Sequence, residues 1–241
     1  MKGLIYIPCF ISQEESEHLI SYIDTSNWRS DIKRRTQQYG YKYDYTKKKI
    51  DDSMFLGPLP DWLNDINAKV GQHFGHRIIP DQVIVNEYQP GQGIDPHVDC
   101  ETCFGPVVAS LSLLSTVEMK FKFGSEVKSM LLEPRSLLLL KDDARNFWTH
   151  NIERVKYDLV NETKVERKRR VSLTFRTVLE DLTKISDEDR RKASDEGYSA
   201  GLKSDKVINP YKGGSALAEE WYHGYNNGRF DIDSDGINDG G

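Results

Sequence analysis

Seven short segments between residues 83 and 178 carry apolar residues with strand-like spacing, and turn-forming residues separate them. Alternation of apolar and polar residues predicts β-strands, and short strands in close succession predict antiparallel pairing. The predicted strands are 83–88, 107–114, 119–123, 127–132, 136–140, 146–150 and 171–178. Because helical patterns precede these strands, the sequence predicts an α+β fold built on an antiparallel sandwich or jelly roll.

Two helices are predicted before the strands. Ser12 and Glu15 have the S-x-x-E spacing of a capping box, and apolar residues follow at helical intervals. These signals predict a helix over 13–24. A second helix is predicted after Pro60, where apolar residues again recur on one helical face.

The 241 residues exceed a typical domain of about 150, which predicts one main domain and a small appendage. We assign residues 1–180 to the main domain and 181–195 to a charged linker. Residues 196–230 are rich in Gly and Tyr and are predicted to form a small helical module. The acidic residues 231–241 are predicted to be a disordered tail.

No apolar run approaches the roughly 20 residues that a membrane-spanning helix needs. Pro8 interrupts the apolar N-terminus, which also lacks a signal-peptide cleavage pattern. The three cysteines are too few for a disulfide framework, and Cys100-x-x-Cys103 lacks two of the four ligands of a zinc site. We therefore expect a cytoplasmic monomer that does not contact membranes.

Positive charge is concentrated in short segments although the net charge is -5. Residues 29–49 contain eight Lys or Arg and four Tyr, and a second basic cluster covers 164–170. Cations bind phosphates and aromatic rings stack on bases, so the first segment predicts binding of single-stranded nucleic acid or of a flipped base. A solvated loop with incidental tyrosines is the alternative.

One segment carries a candidate metal site. His97 and Asp99 are two residues apart, so in extended backbone they point to the same side. His150 ends another apolar run. Two His and one carboxylate form the facial triad of non-haem Fe(II) oxygenases, which leaves open coordination positions. Surface histidines and a turn Asp would give the same pattern.

Residues 170–176 alternate polar and apolar side chains, with Arg170 and Arg176 at the two ends of the polar face. If this face points into the sandwich, the two guanidinium groups need an anionic partner, and a dicarboxylate would satisfy both. Asn86 and Tyr88 share a face by the same alternation and would add neutral donors. If the polar face meets solvent, the segment is an ordinary amphipathic strand.

In their order along the chain, these motifs resemble the AlkB family of Fe(II)- and 2-oxoglutarate-dependent dioxygenases, which act mainly on nucleic acids. The motifs are Asn86-x-Tyr88, His97-x-Asp99, Ser110-Leu-Ser112, Leu132-Glu-Pro134-x-Ser136, Asp143-Ala-Arg145-x-x-Trp148-Thr149-His150 and Arg170-x-Ser172-x-Thr174-x-Arg176. The resemblance covers residues 1–180 and implies a double-stranded β-helix (jelly-roll) oxygenase core with N-terminal helices. It also implies Fe(II), 2-oxoglutarate and O2 as cofactor and co-substrates in the hydroxylation or oxidative demethylation of a nucleobase.

The resemblance implies roles for individual residues. Fe(II) would be bound by His97, Asp99 and His150. The 2-oxoglutarate C1 end would be held by Asn86 and Arg176, the C5 carboxylate by Tyr88 and Arg170, and Ser172 occupies a further cofactor position. The basic, Tyr-rich residues 29–49 resemble the lid that covers the nucleotide in this family, and we call them the lid segment. The expected substrate-binding residues lie in this segment and near the metal ligands: Arg34, Arg35, Tyr39, Tyr41, Tyr43, Glu101 and Arg145.

Two further resemblances concern the substrate and the partner. The motifs around Ser110 and Arg145 are similar to the eukaryotic branch that hydroxylates tRNA wobble uridines. Residues 197–228 resemble the ribosome modulation factor family, which implies binding to the ribosome or its RNA; a helical packing module is the alternative. A hydroxylase of protein side chains, or an RNA-binding protein with a vestigial oxygenase site, remain the alternative functions.

Overall fold

The structure is a computed structural model that describes residues 1–50, 52–75, 78–160, 163–179, 186–203, 209–211 and 215–235. The chain divides into two compact units. We call residues 1–74 with 80–178 the sheet unit, and residues 75–79 with 179–241 the helical unit. Among the described residues, no helix has the length and hydropathy of a membrane span.

The sheet unit contains short strands that pair antiparallel with their neighbours. In chain order they are β1 (Leu4–Ile7), β2 (Thr36–Tyr39), β3 (Gln82–Tyr88), β4 (Ile94–His97), β5 (Val108–Leu113), β6 (Val117–Phe123), β7 (Glu126–Leu132), β8 (Leu137–Leu140), β9 (Thr149–Ile152), β10 (Tyr157–Val160), β11 (Thr163–Glu166) and β12 (Arg170–Arg176). The larger sheet has the order β1-β8-β5-β12-β3-β2, and the smaller sheet has the order β4-β9-β6-β7. Strands β10 and β11 form a separate hairpin.

The two sheets pack face to face around a common core. Buried side chains of the larger sheet, such as Val108 and Leu138, belong to the same apolar cluster as Phe121 and Ile152 of the smaller sheet. On the other face of the larger sheet, the apolar side chains of β12 are also fully buried. This arrangement confirms the predicted α+β jelly roll.

The described helices are α1 (Gln13–Thr25), α2 (Asn64–Gly71), α3 (Asp142–Asn146), α4 (Asp187–Gly201) and α5 (Ala216–Asp235), with short 3-10 turns at Asp52–Met54 and Asp61–Leu63. The Ser12 hydroxyl accepts from the Glu15 backbone N–H, and the Glu15 carboxylate accepts from the Ser12 backbone N–H. The predicted capping box and first helix are therefore confirmed. Gln37 of β2 ties α1 to the larger sheet by donating to the Ile23 carbonyl.

Three predicted boundaries are wrong. Residues 146–150 do not form one strand, because helix α3 ends at Asn146 and β9 begins only at Thr149. The predicted linker 181–195 contains most of α4, which begins at Asp187 after a Ser186 cap. The predicted disordered tail begins inside α5, since residues 231–235 are helical; residues 236–241 lie outside the described residues.

Helices α4 and α5 pack at backbone contact through glycines on both helices. A Cβ on Gly197 would overlap the carbonyl oxygen of Trp221, and a Cβ on Gly224 would overlap that of Ser194. One turn further along each helix, Gly201 and Gly228 meet the opposite backbone in the same way. Only glycine permits so close an approach, so the glycine pattern of this segment is explained by helix packing.

We expect Gly224→Ala to destabilise the α4–α5 pair by about 1–3 kcal/mol, because the added methyl group meets a backbone carbonyl that cannot rotate away. In an unobstructed helix the same change would stabilise by about 1 kcal/mol, so the sign of the effect is diagnostic. Hydrogen exchange of peptides from α4 and α5 measures it. Asn226→Ala, at an exposed position of α5, is the control, and faster exchange in Gly224→Ala alone is the expected result.

Candidate active site

A pocket of about 730 Å³ lies between the two sheets of the sheet unit. It brings together all the residues predicted to bind metal and cofactor, which are Asn86, Tyr88, His97, Asp99, His150, Arg170, Ser172 and Arg176. The polar face of β12 therefore points into the sandwich and not into solvent. This placement decides between the two interpretations that the alternation of β12 left open.

The candidate metal ligands meet because β4 and β9 pair antiparallel, with a register shift between Ile94 and His97. His97 lies opposite His150 in this antiparallel pair, and their ring centroids are 4.3 Å apart. Asp99 follows β4, and its Oδ2 lies 3.7 Å from Nε2 of His150. One ligand atom from each residue lies within 4.8 Å of the others. This donor set is that of a facial triad.

The protonation states of the triad suit a divalent cation. Burial lowers the pKa of His150 to about 4, and the neighbouring His97 acts in the same direction. Burial opposes ionisation of the Asp99 carboxyl, but the neighbouring positive groups, with Arg176 the largest contributor, together outweigh it and hold the pKa of Asp99 below its usual range. At pH 7 the site therefore presents a neutral imidazole and a carboxylate, the forms that bind metals.

The ring orientation of His97 also fits a metal ligand. Its Nδ1 lies 2.8 Å from the backbone carbonyl oxygen of Asp95. An N–H that donates to this carbonyl fixes the tautomer and leaves the Nε2 lone pair free for a cation.

The candidate cofactor residues lie side by side on β3 and β12. Tyr88 pairs with Arg170 in the ladder, and Asn86 pairs with Ser172. Alternation then turns all four side chains to the pocket.

Arg170 has the properties expected of a carboxylate receptor. It is 2% exposed, its Nη2 donates to the Ser112 hydroxyl at 2.8 Å, and its guanidinium lies 5.4 Å from the Tyr88 ring centroid. In the described part of the chain its Nε has no hydrogen-bond partner and no carboxylate forms an ion pair with it. Burial lowers the pKa of Arg170 to about 10, so the group stays charged at pH 7. A buried, charged and incompletely bonded guanidinium fits one carboxylate of 2-oxoglutarate.

Arg176 occupies the other end of the polar face, beside the metal ligands. Its Nη2 donates to Oδ1 of Asp99 at 2.6 Å, and Nη1 donates to Gln82 at 3.2 Å. Its Nε lacks a hydrogen-bond partner among the described residues. The two arginines thus lie at a deep and a metal-proximal position of one pocket, as a dicarboxylate chelated to the metal requires.

Residues 3–176 match the 2OG-Fe(II) oxygenase superfamily. The chain is also 35% identical over 191 residues to an uncharacterised protein of Acanthamoeba polyphaga mimivirus, covering 76% of this chain and 89% of that protein. It is 30% identical over 206 residues to a Danio rerio protein named probable RNA/DNA demethylase ALKBH6, covering 72% and 84%. The chain is an AlkB-like member of the 2OG-Fe(II) oxygenase superfamily.

Two other comparisons place this AlkB-like chain among its relatives. It is 34% identical over 198 residues to the Xenopus tropicalis tRNA (carboxymethyluridine(34)-5-O)-methyltransferase alkbh8, covering 73% of this chain but only 32% of that protein. The structure of OsALKBH1 superposes with a TM-score of 0.56 at 17% identity, covering 73% of this chain and 99% of that chain. The second likeness concerns the fold alone.

Membership of this superfamily makes the AlkB-like chain a dioxygenase that uses Fe(II), 2-oxoglutarate and O2. Independently of the comparisons, the pocket residues fit these groups. The pocket contains three possible metal ligands and one buried guanidinium, that of Arg170, which lacks a full set of hydrogen-bond partners among the described residues. The residues of the AlkB motifs that were predicted to bind the metal and 2-oxoglutarate therefore meet in one pocket.

The predicted substrate residues divide into two groups. Arg34 and Tyr43 line the pocket of this AlkB-like protein, as expected. The other five predicted substrate residues lie outside its lining: Arg35, Tyr39, Tyr41, Glu101 and Arg145.

Arg35 is adjacent to Arg34 in sequence, but its side chain does not line the pocket. It holds the buried Glu87 carboxylate at 2.6 Å, and Arg169 holds the same carboxylate at 2.7 Å while also pairing with Asp24. The hydrogen bond from Arg35 is the main reason that the pKa of Glu87 lies below its usual range. Arg35 therefore belongs to a structural ion network, and its predicted substrate role is corrected.

Arg145 is 2% exposed and bonds only backbone carbonyls in the described residues. It donates to the carbonyl of Asp99 at 2.9 Å, to that of Cys100 at 3.2 Å and to that of Phe104 at 3.4 Å. These bonds hold the loop that carries the metal ligand. The prediction that Arg145 contacts substrate is therefore corrected to a supporting role.

Tyr39, Tyr41 and Glu101 are also corrected. The Tyr39 ring packs against Trp62, with centroids 5.4 Å apart, and Tyr41 packs against Phe55 at 5.0 Å. Glu101 is exposed on the loop after Asp99, because the backbone turns there and the alternation of β4 does not continue.

The sequence analysis missed several pocket residues. Tyr45 and Lys48 line the pocket from the lid segment, and Met119 and Arg154 line it from the smaller sheet and the loop after β9. Tyr45 was visible as the last tyrosine of the alternating run. Lys48 is one of the eight cations of residues 29–49, and nothing local in the sequence marks Met119 and Arg154.

Cys100 and Cys103 form a disulfide directly after the metal ligand Asp99. Both sulfur atoms lie near the Lys48 carbonyl oxygen, at 3.5 and 3.4 Å. The loop that follows the metal ligand is thus joined to the lid segment. The sequence analysis excluded a disulfide framework and did not predict this single local disulfide.

Proposed function

We propose that this protein oxidises a nucleobase in DNA or RNA, either by hydroxylating a carbon of the base or by demethylating a base nitrogen. The observation that carries the proposal is one pocket in which a metal triad, a buried arginine and a rim of tyrosines and cations meet. The names of the Danio rerio and Xenopus tropicalis relatives, a probable RNA/DNA demethylase and a tRNA methyltransferase, support it.

In this proposal His97, Asp99 and His150 hold the metal. Arg170 and Tyr88 receive the C5 carboxylate of 2-oxoglutarate, Asn86 and Arg176 hold its C1 end, and Ser172 occupies a further cofactor position. Bound Fe(II), 2-oxoglutarate and O2 supply the oxidising equivalent that hydroxylates a carbon. The chain positions these groups and excludes water, since Arg170 and the metal ligands Asp99 and His150 are all less than 9% exposed.

The lid segment is proposed to hold the base and its flanking phosphates. The Tyr43 and Tyr45 rings are perpendicular, with centroids 5.1 Å apart, so a flat base can stack on only one of them. Tyr43 also packs on Phe104 at 5.5 Å, which fixes its position. Lys48 is an exposed cation at the pocket edge and is placed to meet a phosphate.

Succinate release, measured with tRNA, ribosomal RNA and methylated single-stranded DNA, tests this function. We expect one nucleic acid to stimulate release, and Tyr43→Ala or Tyr45→Ala to weaken its binding by about 5- to 150-fold, the range for one stacked base. Lys48→Ala should reduce the slope of log affinity against log salt by about 1. Tyr39→Ala, outside the pocket, is the matched control.

Failure of all nucleic acids to bind or to stimulate, together with stimulation by peptides, would favour the protein hydroxylase. Binding of RNA without any turnover of 2-oxoglutarate would favour an RNA-binding protein with a vestigial site.

We also propose that the helical unit binds ribosomal RNA and that the protein is a cytoplasmic monomer. The resemblance of residues 197–228 to the ribosome modulation factor family supports the first part. The small number of cysteines supports the second, although a reducing compartment would open the bond between Cys100 and Cys103. The ribosomal RNA arm of the same assay and sedimentation of the full chain are the tests.

A further inference from the structure

We propose that Arg34 is a positioning residue that links the lid to the cofactor, which is a different task from gripping a phosphate of the substrate. This inference rests on the proposed function of the pocket, because it takes Asn86, Tyr88 and Arg170 as cofactor residues. Nothing in the sequence distinguishes Arg34 from the cations around it, so its placement in space carries the argument.

The first observation is a hydrogen bond that fixes an amide. Nε of Arg34 donates to Oδ1 of Asn86 at 2.8 Å, although 52 residues separate the two. A guanidinium has donors only, so it selects the carbonyl end of the amide and excludes the flipped orientation. The amide nitrogen of Asn86, whose contact with the Ile84 carbonyl is long at 3.5 Å, is then the end available to a carboxylate in the pocket.

The second observation is an alternating series of rings and cations. The guanidinium of Arg34 lies 5.8 Å from the ring centroids of both Tyr45 and Tyr88. On the cofactor side, the guanidinium of Arg170 lies 5.4 Å from the same Tyr88 ring. The series Tyr45, Arg34, Tyr88, Arg170 therefore runs from the lid to the buried end of the pocket through cation–π contacts.

These contacts make lid position and cofactor binding interdependent. When the two ends of 2-oxoglutarate bind Asn86 and Arg170, their partners Arg34 and Tyr88 lose freedom, and the Tyr45 ring has a fixed cation to pack against. Coupling of this kind is reciprocal, so a change in the lid must alter the affinity for 2-oxoglutarate as well.

The test measures 2-oxoglutarate binding calorimetrically with the full chain loaded with Mn(II), so that no turnover occurs. We expect Arg34→Met to weaken binding by about 2- to 12-fold, the range of one hydrogen bond. Tyr45→Ala should weaken it by about 2- to 5-fold, and Tyr45→Phe, which keeps the ring, should bind like the wild type. Arg35→Ala is the control, since the neighbouring side chain faces Glu87 outside the pocket.

A double-mutant cycle distinguishes positioning from general damage. If Arg34 acts through Asn86, Arg34→Met should weaken 2-oxoglutarate binding little further in an Asn86→Ala background. If the two residues act independently, their effects on the binding free energy should add. Hydrogen exchange provides a second readout: 2-oxoglutarate should slow exchange in peptides covering 41–49 of the wild type and much less in Arg34→Met.

Two results would overturn the inference: wild-type affinity in Arg34→Met, or full additivity in the cycle. If the Mn(II)-loaded wild type itself binds no 2-oxoglutarate, the proposed function of the pocket fails instead.

Discussion

Asp99→Asn is expected to reduce Fe(II)-dependent turnover of 2-oxoglutarate by at least about 100-fold while the protein stays folded. Loss of supporting residues around metal ligands already costs about 10- to 100-fold, and a lost ligand costs more. The asparagine oxygen can still accept the hydrogen bond from Arg176, so this buried cation keeps a partner. Asp99→Ala would remove that partner too and confuse metal loss with destabilisation.

Succinate release without substrate measures this turnover, and circular dichroism checks the fold. Glu101→Gln is the matched control, because this carboxylate lies two residues further along the same loop but is exposed and outside the pocket. Metal content after dialysis should fall in Asp99→Asn alone. Turnover at the wild-type rate in folded Asp99→Asn would disprove the metal assignment.

Arg170→Met is expected to weaken 2-oxoglutarate binding by about 10- to 150-fold. This range corresponds to about 1.5–3 kcal/mol for a charge-assisted hydrogen-bonded pair. The same change should not destabilise the protein without 2-oxoglutarate, because methionine fills the site without leaving a buried charge short of partners. In Arg170→Met the affinity for 2-oxoglutarate should therefore fall, while the free energy of unfolding without ligand should not.

Calorimetry measures the affinity, and thermal unfolding with and without 2-oxoglutarate measures the ligand-induced shift, which should vanish in Arg170→Met. Arg169→Ala is the control with the opposite profile. Its side chain bonds Glu87 and Asp24 outside the pocket, so it should lose stability and keep its affinity. Equal loss of affinity in both variants would mean that the register of β12 is wrong.

The parts of the site that the sequence predicts are those set by local geometry. The two-residue spacing predicted a common site for His97 and Asp99, although β4 ends at His97 and Asp99 lies beyond it. Within β12 the same rule placed Arg170 with Ser172 and Arg176. The order of the motifs then supplied the family and its jelly roll. Both the two-residue strand period and the order of the motifs can be read from the sequence without knowing which distant residues are in contact.

The predictions for the lid segment were less accurate, because the positions of its side chains depend on contacts with distant residues. Arg34 and Arg35 look alike in the sequence, yet one meets Asn86 and the other Glu87, carboxamide and carboxylate groups 52 residues away. Both residues precede β2, and Arg34 lies in a bend, so no local period in the sequence reveals that the two side chains take different directions.

The tyrosine run shows a second limit. Alternation would place Tyr39, Tyr41, Tyr43 and Tyr45 on one face, but the strand ends at Tyr39 and Gly40 adopts a positive φ of 77°. After this turn the chain no longer follows a two-residue period, and only the last two tyrosines reach the pocket. Helix α3 was missed similarly, because five residues are too few to display a helical period.

The glycine contact of the helical unit has a consequence for how such segments are recognised. Sliding α4 by one residue along α5 would bring a side chain where Gly197 now meets the Trp221 backbone, so the glycine positions exclude that register. Glycines four residues apart on both helices, with aromatic neighbours, therefore indicate two helices packed at backbone contact. Other helical pairs that pack through glycines can share this spacing whatever they bind.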